Sequence, residues 1–208
     1  MSQPAIKVNP TQQEPDLSVT TGGASETALK KRIQELGPWH MGIQLTENLN
    51  SGDVFSEDGT ITHRESNRGV SLLQLRDHFL RRIDAIYPTG LGDKTFLDCA
   101  CNAGGYCFWA RERNVKSAVG FDVREHWIRQ ARFVKNQRTV APTDRIQFRV
   151  SDLYDLPKLN LQPVDVTMFK GIFYHLPDPI TGLKIAADMT KEVMFFNTST
   201  TWGKMTAT

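Results

Sequence analysis

From residue 95 onward the chain alternates short apolar runs with amphipathic stretches, a rhythm that few folds accommodate. The apolar runs fall at 95–99, 117–121, 146–150, 164–169 and 193–197. Helical patterns lie between several of them: a turn and helix running to about Arg113, a helix from Arg124 to about Arg138, and helical character from Ile180 to Met189. Strands that alternate with helices build right-handed βαβ units, and hence a parallel sheet covered on both faces. The predicted class is therefore α/β with three layers. Such sheets bind ligands outside the carboxyl ends of their strands, so strand-end residues are where chemistry is sought.

The first 90 residues read differently. Residues 1–25 are polar, rich in Pro, Gln, Ser, Thr and Gly, and bury too little to order themselves, so a flexible tail is expected. A helix is expected over 26–36, stopped by Gly37 and Pro38. Residues 39–64 show no sustained period and read as a long loop with two short strands. From 70 to 86 the apolar set Leu72, Leu75, Phe79, Ile83 and Ile86 recurs at helical spacing. The domain reading is a tail at 1–25, a helical and loop extension at 26–90 acting as a lid, and a ligand-binding core at 91–208.

Bulk composition excludes more than it assigns. No apolar run approaches the roughly 18–20 residues of a membrane span, and the N-terminus has no apolar signal core behind a basic cluster. Cys99, Cys101 and Cys107 form an odd, clustered set that suits reduced thiols and a cytoplasmic location. No histidine stands near them at ligand spacing, so no metal is expected. The net charge of +2 permits an anionic partner without demanding one. Basic residues between Arg111 and Arg138 are read as the solvated faces of helices.

Three strand ends carry an acid. The first reads Asp98-Cys99-Ala100-Cys101-Asn102-Ala103-Gly104, where small residues let the backbone turn sharply and approach a ligand. A dinucleotide enzyme would show G-x-G-x-x-G there; here Ala100 and Asn102 replace the first two glycines. The Asp98 carboxylate would repel a pyrophosphate but suits a cationic group. Asp122 ends the second run eighteen residues after Gly104, near the spacing of about 20 expected of an acid that grips a ribose diol. Its alternative role is to cap the next helix. Asp152 ends the third run and can accept from an adenine amine, with the Leu153 amide reaching a ring nitrogen; the alternative is a turn aspartate. After the fourth run come Lys170, Tyr174 and His175. His175 is a candidate general base, or a structural hydrogen-bonder before a proline-rich turn.

The ordered segments LDCACNAGGYCFWA, VGFDVREHWIRQARF, SDLYDL and FKGIFYHLPDP resemble the motif series of class I S-adenosylmethionine-dependent methyltransferases, over residues 30 to 200. LGPWHMGI and GIFYHLPDP further resemble the tRNA wobble-uridine (carboxy)methyltransferase group. The resemblance implies a Rossmann-like sandwich and S-adenosylmethionine as cofactor. It implies that Asp98, Ala100, Asn102 and Gly104 hold the methionine end, that Asp122 with Val123 takes the ribose, and that Asp152 with Leu153 takes the adenine. It also places Lys170 and Tyr174 by the transferring group and has Trp39 closing the site. The carboxymethyl enzymes carry a lysine just before the Gly-Pro of this motif; here that position is Leu36, which favours the ordinary cofactor. A complete sheet of this class has seven strands, and the chain is expected to lack the last two, leaving an open edge that could join a second copy. The function expected is methyl transfer to oxygen or nitrogen of a small organic acceptor. The alternatives are tRNA modification and a non-catalytic cofactor-binding partner.

Overall fold

The computed structural model describes residues 25–64 and 72–199. The tail expected over 1–25 lies almost wholly outside the described residues, as does Val70 at the start of the second predicted helix. Within them, α1 (Glu26–Leu36) is followed by a hairpin of β1 (Asp53–Phe55) and β2 (Ile61–Arg64), then α2 (Leu72–Ile86). The core follows: β3 (Thr95–Cys99), α3 (Gly105–Arg111), β4 (Ser117–Asp122), α4 (Glu125–Gln137), β5 (Ile146–Val150), β6 (Val164–Lys170), α5 (Pro179–Asp188) and β7 (Thr190–Asn197).

The sheet order is β5-β4-β3-β6-β7, every pairing parallel. The α/β three-layer expectation therefore holds, and among the described residues no strand pairs with the outer side of β7. The chain runs outward from β3 through β4 to β5, then returns to place β6 on the opposite side of β3. That reversal makes a topological switch point between β3 and β6, where such sheets open a crevice at their carboxyl ends.

Alternation along the strands sorts the two faces. Phe96, Ala118, Ile146, Phe148, Val166 and Met168 are buried on the side covered by α2, α3 and α4. Leu97, Cys99, Phe121 and Phe169 face the other side, under Leu153, Leu156 and Ala186. That second face holds an element the sequence reading did not expect, a 3₁₀ helix over Leu153–Leu159. Its leucines at 153, 156 and 159 recur every three residues, the 3₁₀ period, and not every 3.6.

Within the extension expected over 26–90, residues 26–55 contribute buried side chains to the core. Trp39, Met41, Ile43, Leu45 and Leu49 are buried in one cluster with the sheet's α2/α3/α4 face. Gln130 of α4 is fully buried and its Nε2 donates to the carbonyls of Leu36 and Pro38, at 2.7 and 2.9 Å. No helix of the described residues is long and apolar enough to cross a membrane.

Candidate functional site

The site is assembled at the carboxyl ends of the central strands. Asp98, Asp122 and Lys170 occupy the same alternation phase as the residues facing α2, α3 and α4, so all three side chains emerge on one face. Asp98 and Lys170 stand on the two strands that flank the switch point.

Between β3 and α3 the chain makes a tight loop. Ala100 and Asn102 have φ of +57° and +52°, the left-handed region where a Cβ is strained. These are the positions where the dinucleotide pattern has glycines: the backbone keeps the geometry although the side chains changed. Gly104 does require glycine, since its φ is +82° and a Cβ there would come within 2.4 Å of the Phe148 ring. The loop is tied to β4: the Cys101 amide donates to the Phe121 carbonyl at 2.8 Å, and the Asn102 amide donates to Asp122 Oδ2 at 3.0 Å. Asp122 Oδ1 accepts from the Arg124 amide at 3.0 Å. The capping alternative for Asp122 is thus present in the structure, yet each of its oxygens keeps a second lone pair for a further donor.

Asp98 has a different character. It is 2% exposed, and its Oδ2 has no hydrogen-bond partner among the described residues. Burial first, then the charge of Asp122, push its carboxyl well above the ordinary range, and Lys170 only partly opposes this. A buried carboxylate oxygen without a donor is costly to leave unmet, and a cationic ligand group would meet it. The three neighbouring thiols are buried as well, and burial holds Cys99, Cys101 and Cys107 in the protonated form.

The adenine-end candidates lie one strand further. Asp152 opens the 3₁₀ helix and accepts from the Tyr154 amide at 2.9 Å, so its turn role is also realised. Leu153 is buried, whereas Val123 is 62% exposed, an apolar surface beside Asp122. Tyr174 and His175 sit in a short 3₁₀ turn, Phe173–His175, with their rings 4.3 Å apart. Both are exposed, and among the described residues no side chain hydrogen-bonds the His175 ring. Trp39 is only 8% exposed: its Nε1 donates to the Ile33 carbonyl at 2.8 Å and its ring packs near Phe133, so its indole is engaged by α1 and α4.

Two residues escaped the sequence reading. Lys170 Nζ donates to the Tyr106 hydroxyl at 2.6 Å and lies 5.3 Å from that ring's centre. Tyr106 belongs to the first turn of α3 and is 9% exposed. In the sequence it stands among Cys, Phe and Trp, where nothing marks it out. Arg82 of α2 influences both side chains electrostatically, and nothing in an amphipathic pattern distinguishes it from Arg81.

Comparisons with known proteins bear on the family and the fold. A family model described as a methyltransferase domain matches residues 92–206. The tRNA U34 carboxymethyltransferases of Campylobacter fetus subsp. fetus (strain 82-40) and Nautilia profundicola (strain ATCC BAA-1463 / DSM 18972 / AmH) are each 35% identical over 94 residues, which is 45% of this chain. The matched stretch is 32% and 30% of those proteins, so the chain spans about a third of their length. Among solved structures, the N-terminal domain of EvdMO1 with SAH bound superposes with a TM-score of 0.58 at 22% identity, over 81% of this chain and 63% of that one. The same domain in the presence of SAH and D-fucose gives 0.57 at 21%, over 81% and 62%. At such identity the likeness is one of fold.

Proposed function

Because the chain belongs to the methyltransferase domain family, we propose that it binds S-adenosylmethionine across the carboxyl ends of β3, β4 and β5 and methylates an oxygen or nitrogen of a small organic acceptor. The observation that carries this reading is the orphaned, buried Oδ2 of Asp98 at the switch point, on the same face as Asp122 and Lys170. The residues present fit the ligand. Asp98 offers a buried carboxylate to its ammonium end, and the loop from Ala100 to Gly104 has no bulky side chain to exclude it. The free lone pairs of Asp122 suit a ribose diol, and exposed Val123 and the Asp152–Leu153 turn suit the flat face and edge of an adenine.

When bound, this cofactor supplies an electrophilic methyl carbon on a cationic sulfur. The protein's contribution is mainly positioning: an acceptor lone pair must be aligned behind that carbon, and water must be kept from the line of approach. A base is required only where the acceptor must lose a proton. His175 is the candidate for that role, by its place in the turn after β6; Tyr174 lines the same turn. The ordinary cofactor is favoured over the carboxylated form because Leu36 is a buried core position, 4% exposed, with no cation there to meet a carboxylate.

Calorimetry with S-adenosylmethionine tests the site directly. Asp122→Ala is expected to weaken binding at least about tenfold, or ~1.4 kcal/mol. An unchanged affinity would refute the assignment of this strand end. A second reading, modification of tRNA wobble uridine, is favoured by the two carboxymethyltransferase relatives. Under it the protein binds bulk tRNA with a steep dependence on salt and prefers the carboxylated cofactor, outcomes that the first reading does not expect.

A further inference from the structure

The groups around Lys170 carry more donors than acceptors. Lys170 is the last residue of β6 on the face shared with Val166 and Met168, and it is half-buried. Its direct partner is a phenol: Lys170 Nζ donates to Tyr106 Oη at 2.6 Å. That bond uses a lone pair of the oxygen and leaves the Tyr106 O–H hydrogen unspent, with no acceptor for it among the described residues. Burial pushes the Tyr106 phenol far above its ordinary range, so it keeps that proton. Phe79 of α2 packs edge-on against Tyr106, ring centres 5.2 Å apart, and this seats α2 over the phenol. Arg82 lies one helical turn further along and is exposed, with no ion pair or hydrogen bond among the described residues.

One ammonium and one spare hydroxyl donor therefore meet beside the switch point, and the charge of Arg82, one turn on from Phe79, acts on both. Burial first, then Arg82, disfavours the charge on Lys170, and Asp98 supports it. Asp98 is itself the carboxylate that the cofactor's ammonium end would engage. A site that gathers like charge at such cost is relieved by an anion. An ammonium, a guanidinium and an O–H together suit the oxygens of a carboxylate or a phosphate.

We propose that Lys170, Tyr106 and Arg82 form the pocket that recognises an anionic group, a carboxylate or a phosphate, on the methyl acceptor. This rests on the methyltransferase reading and narrows it to an acid or phosphorylated acceptor. Arg82 and Tyr106 are then specificity-determining residues, since they contact the acceptor's anionic group and not the transferring methyl.

The test uses the full chain loaded with S-adenosylhomocysteine and titrated with phenyl phosphate, benzoate and neutral benzyl alcohol. One anion is expected to bind at least roughly fivefold tighter than the alcohol. The tighter of the two anions tells phosphate from carboxylate. Arg82→Gln and Tyr106→Phe, which alter one exposed charge and one hydroxyl, are each expected to remove most of that preference while S-adenosylhomocysteine affinity stays within about twofold. Equal binding of the neutral probe, or an anion affinity that Arg82→Gln leaves unchanged, would overturn the proposal. So would a parallel loss of affinity for S-adenosylhomocysteine or carboxy-S-adenosylmethionine, which would assign the pocket to the cofactor. A wild-type protein that binds no S-adenosylhomocysteine refutes the methyltransferase reading itself, so the two failures are distinct.

Discussion

Asp98 occupies its position at a cost to the fold. It is buried, one oxygen has no donor, and its carboxyl is pushed well above the usual range by burial and by Asp122. A folded-state pKa raised above the unfolded value gives stability that is complete below the unfolded pKa and is lost as pH rises through the folded one. The acidic side chain thus costs stability at neutral pH, where unfolding would let it ionise freely. Asp98→Asn is expected to raise the melting temperature at pH 7, by ~2–4 °C for each kcal/mol recovered, while abolishing detectable cofactor binding. At pH 4 the two proteins should melt closer together. Thermal scans at both pH values check this, and a variant less stable than wild type at pH 7 would contradict it. The loop beside Asp98 carries a related tension, since Ala100 and Asn102 sit in left-handed backbone that glycine would adopt without strain.

Between elements, one tie away from the site is an ion triad in which Arg138 is buried and Arg76 is partly exposed. Glu112, just past α3, receives Arg76 of α2 at 2.6 Å and Arg138, at the end of α4, at 2.5 Å. The Arg138 side chain is 2% exposed, and its Nε also donates to the Gln44 carbonyl of the extension at 2.9 Å. One carboxylate therefore clamps three helices and the N-terminal segment. Removing it leaves a buried guanidinium without a countercharge, which costs about 3 kcal/mol. Glu112→Gln is accordingly expected to lower the melting temperature by roughly 6–12 °C, with cofactor affinity nearly unchanged once the protein is folded. A shift below about 1 °C would show that the clamp is incidental.

For the whole molecule, the question is whether the extension acts as a lid or as part of the core. Its apolar residues share one buried cluster with the sheet, and its backbone is bonded inward: the Thr139 amide donates to the Leu45 carbonyl at 2.8 Å, and the Ile43 amide donates to Ser51 Oγ at 2.9 Å. We expect residues 43–51 to open only with the core, so the amides of Ile43, Leu45 and Ser51 should exchange hydrogen about as slowly as those of β3 and β4. Exchange orders of magnitude faster, slowed by cofactor, would instead support the lid.

The sequence alone determined the architecture and the residues worth watching. Glu26–Leu36, Thr95–Cys99 and Ile146–Val150 begin and end where their pattern predicts, because burial on one or both faces writes a local period into the chain. Elements with little apolar contrast were harder to bound. β7 starts at Thr190, ahead of the apolar run at 193, because Thr190, Lys191 and Glu192 occupy a rim strand where burial does not select side chains. α3 ends at Arg111, and Glu112 beyond it is drawn into the ion triad. The acids at 98, 122 and 152 were visible because each lies within two residues of the end of a short apolar run. Only the tertiary structure could show that Trp39 spends its indole on α1, that Asp98 lacks a donor, and that Tyr106 meets Lys170 across 64 residues of chain. Periodicity records which side of an element is buried. It carries nothing about which distant side chain shares that burial, and the charges and donors of this site act through such distant pairs.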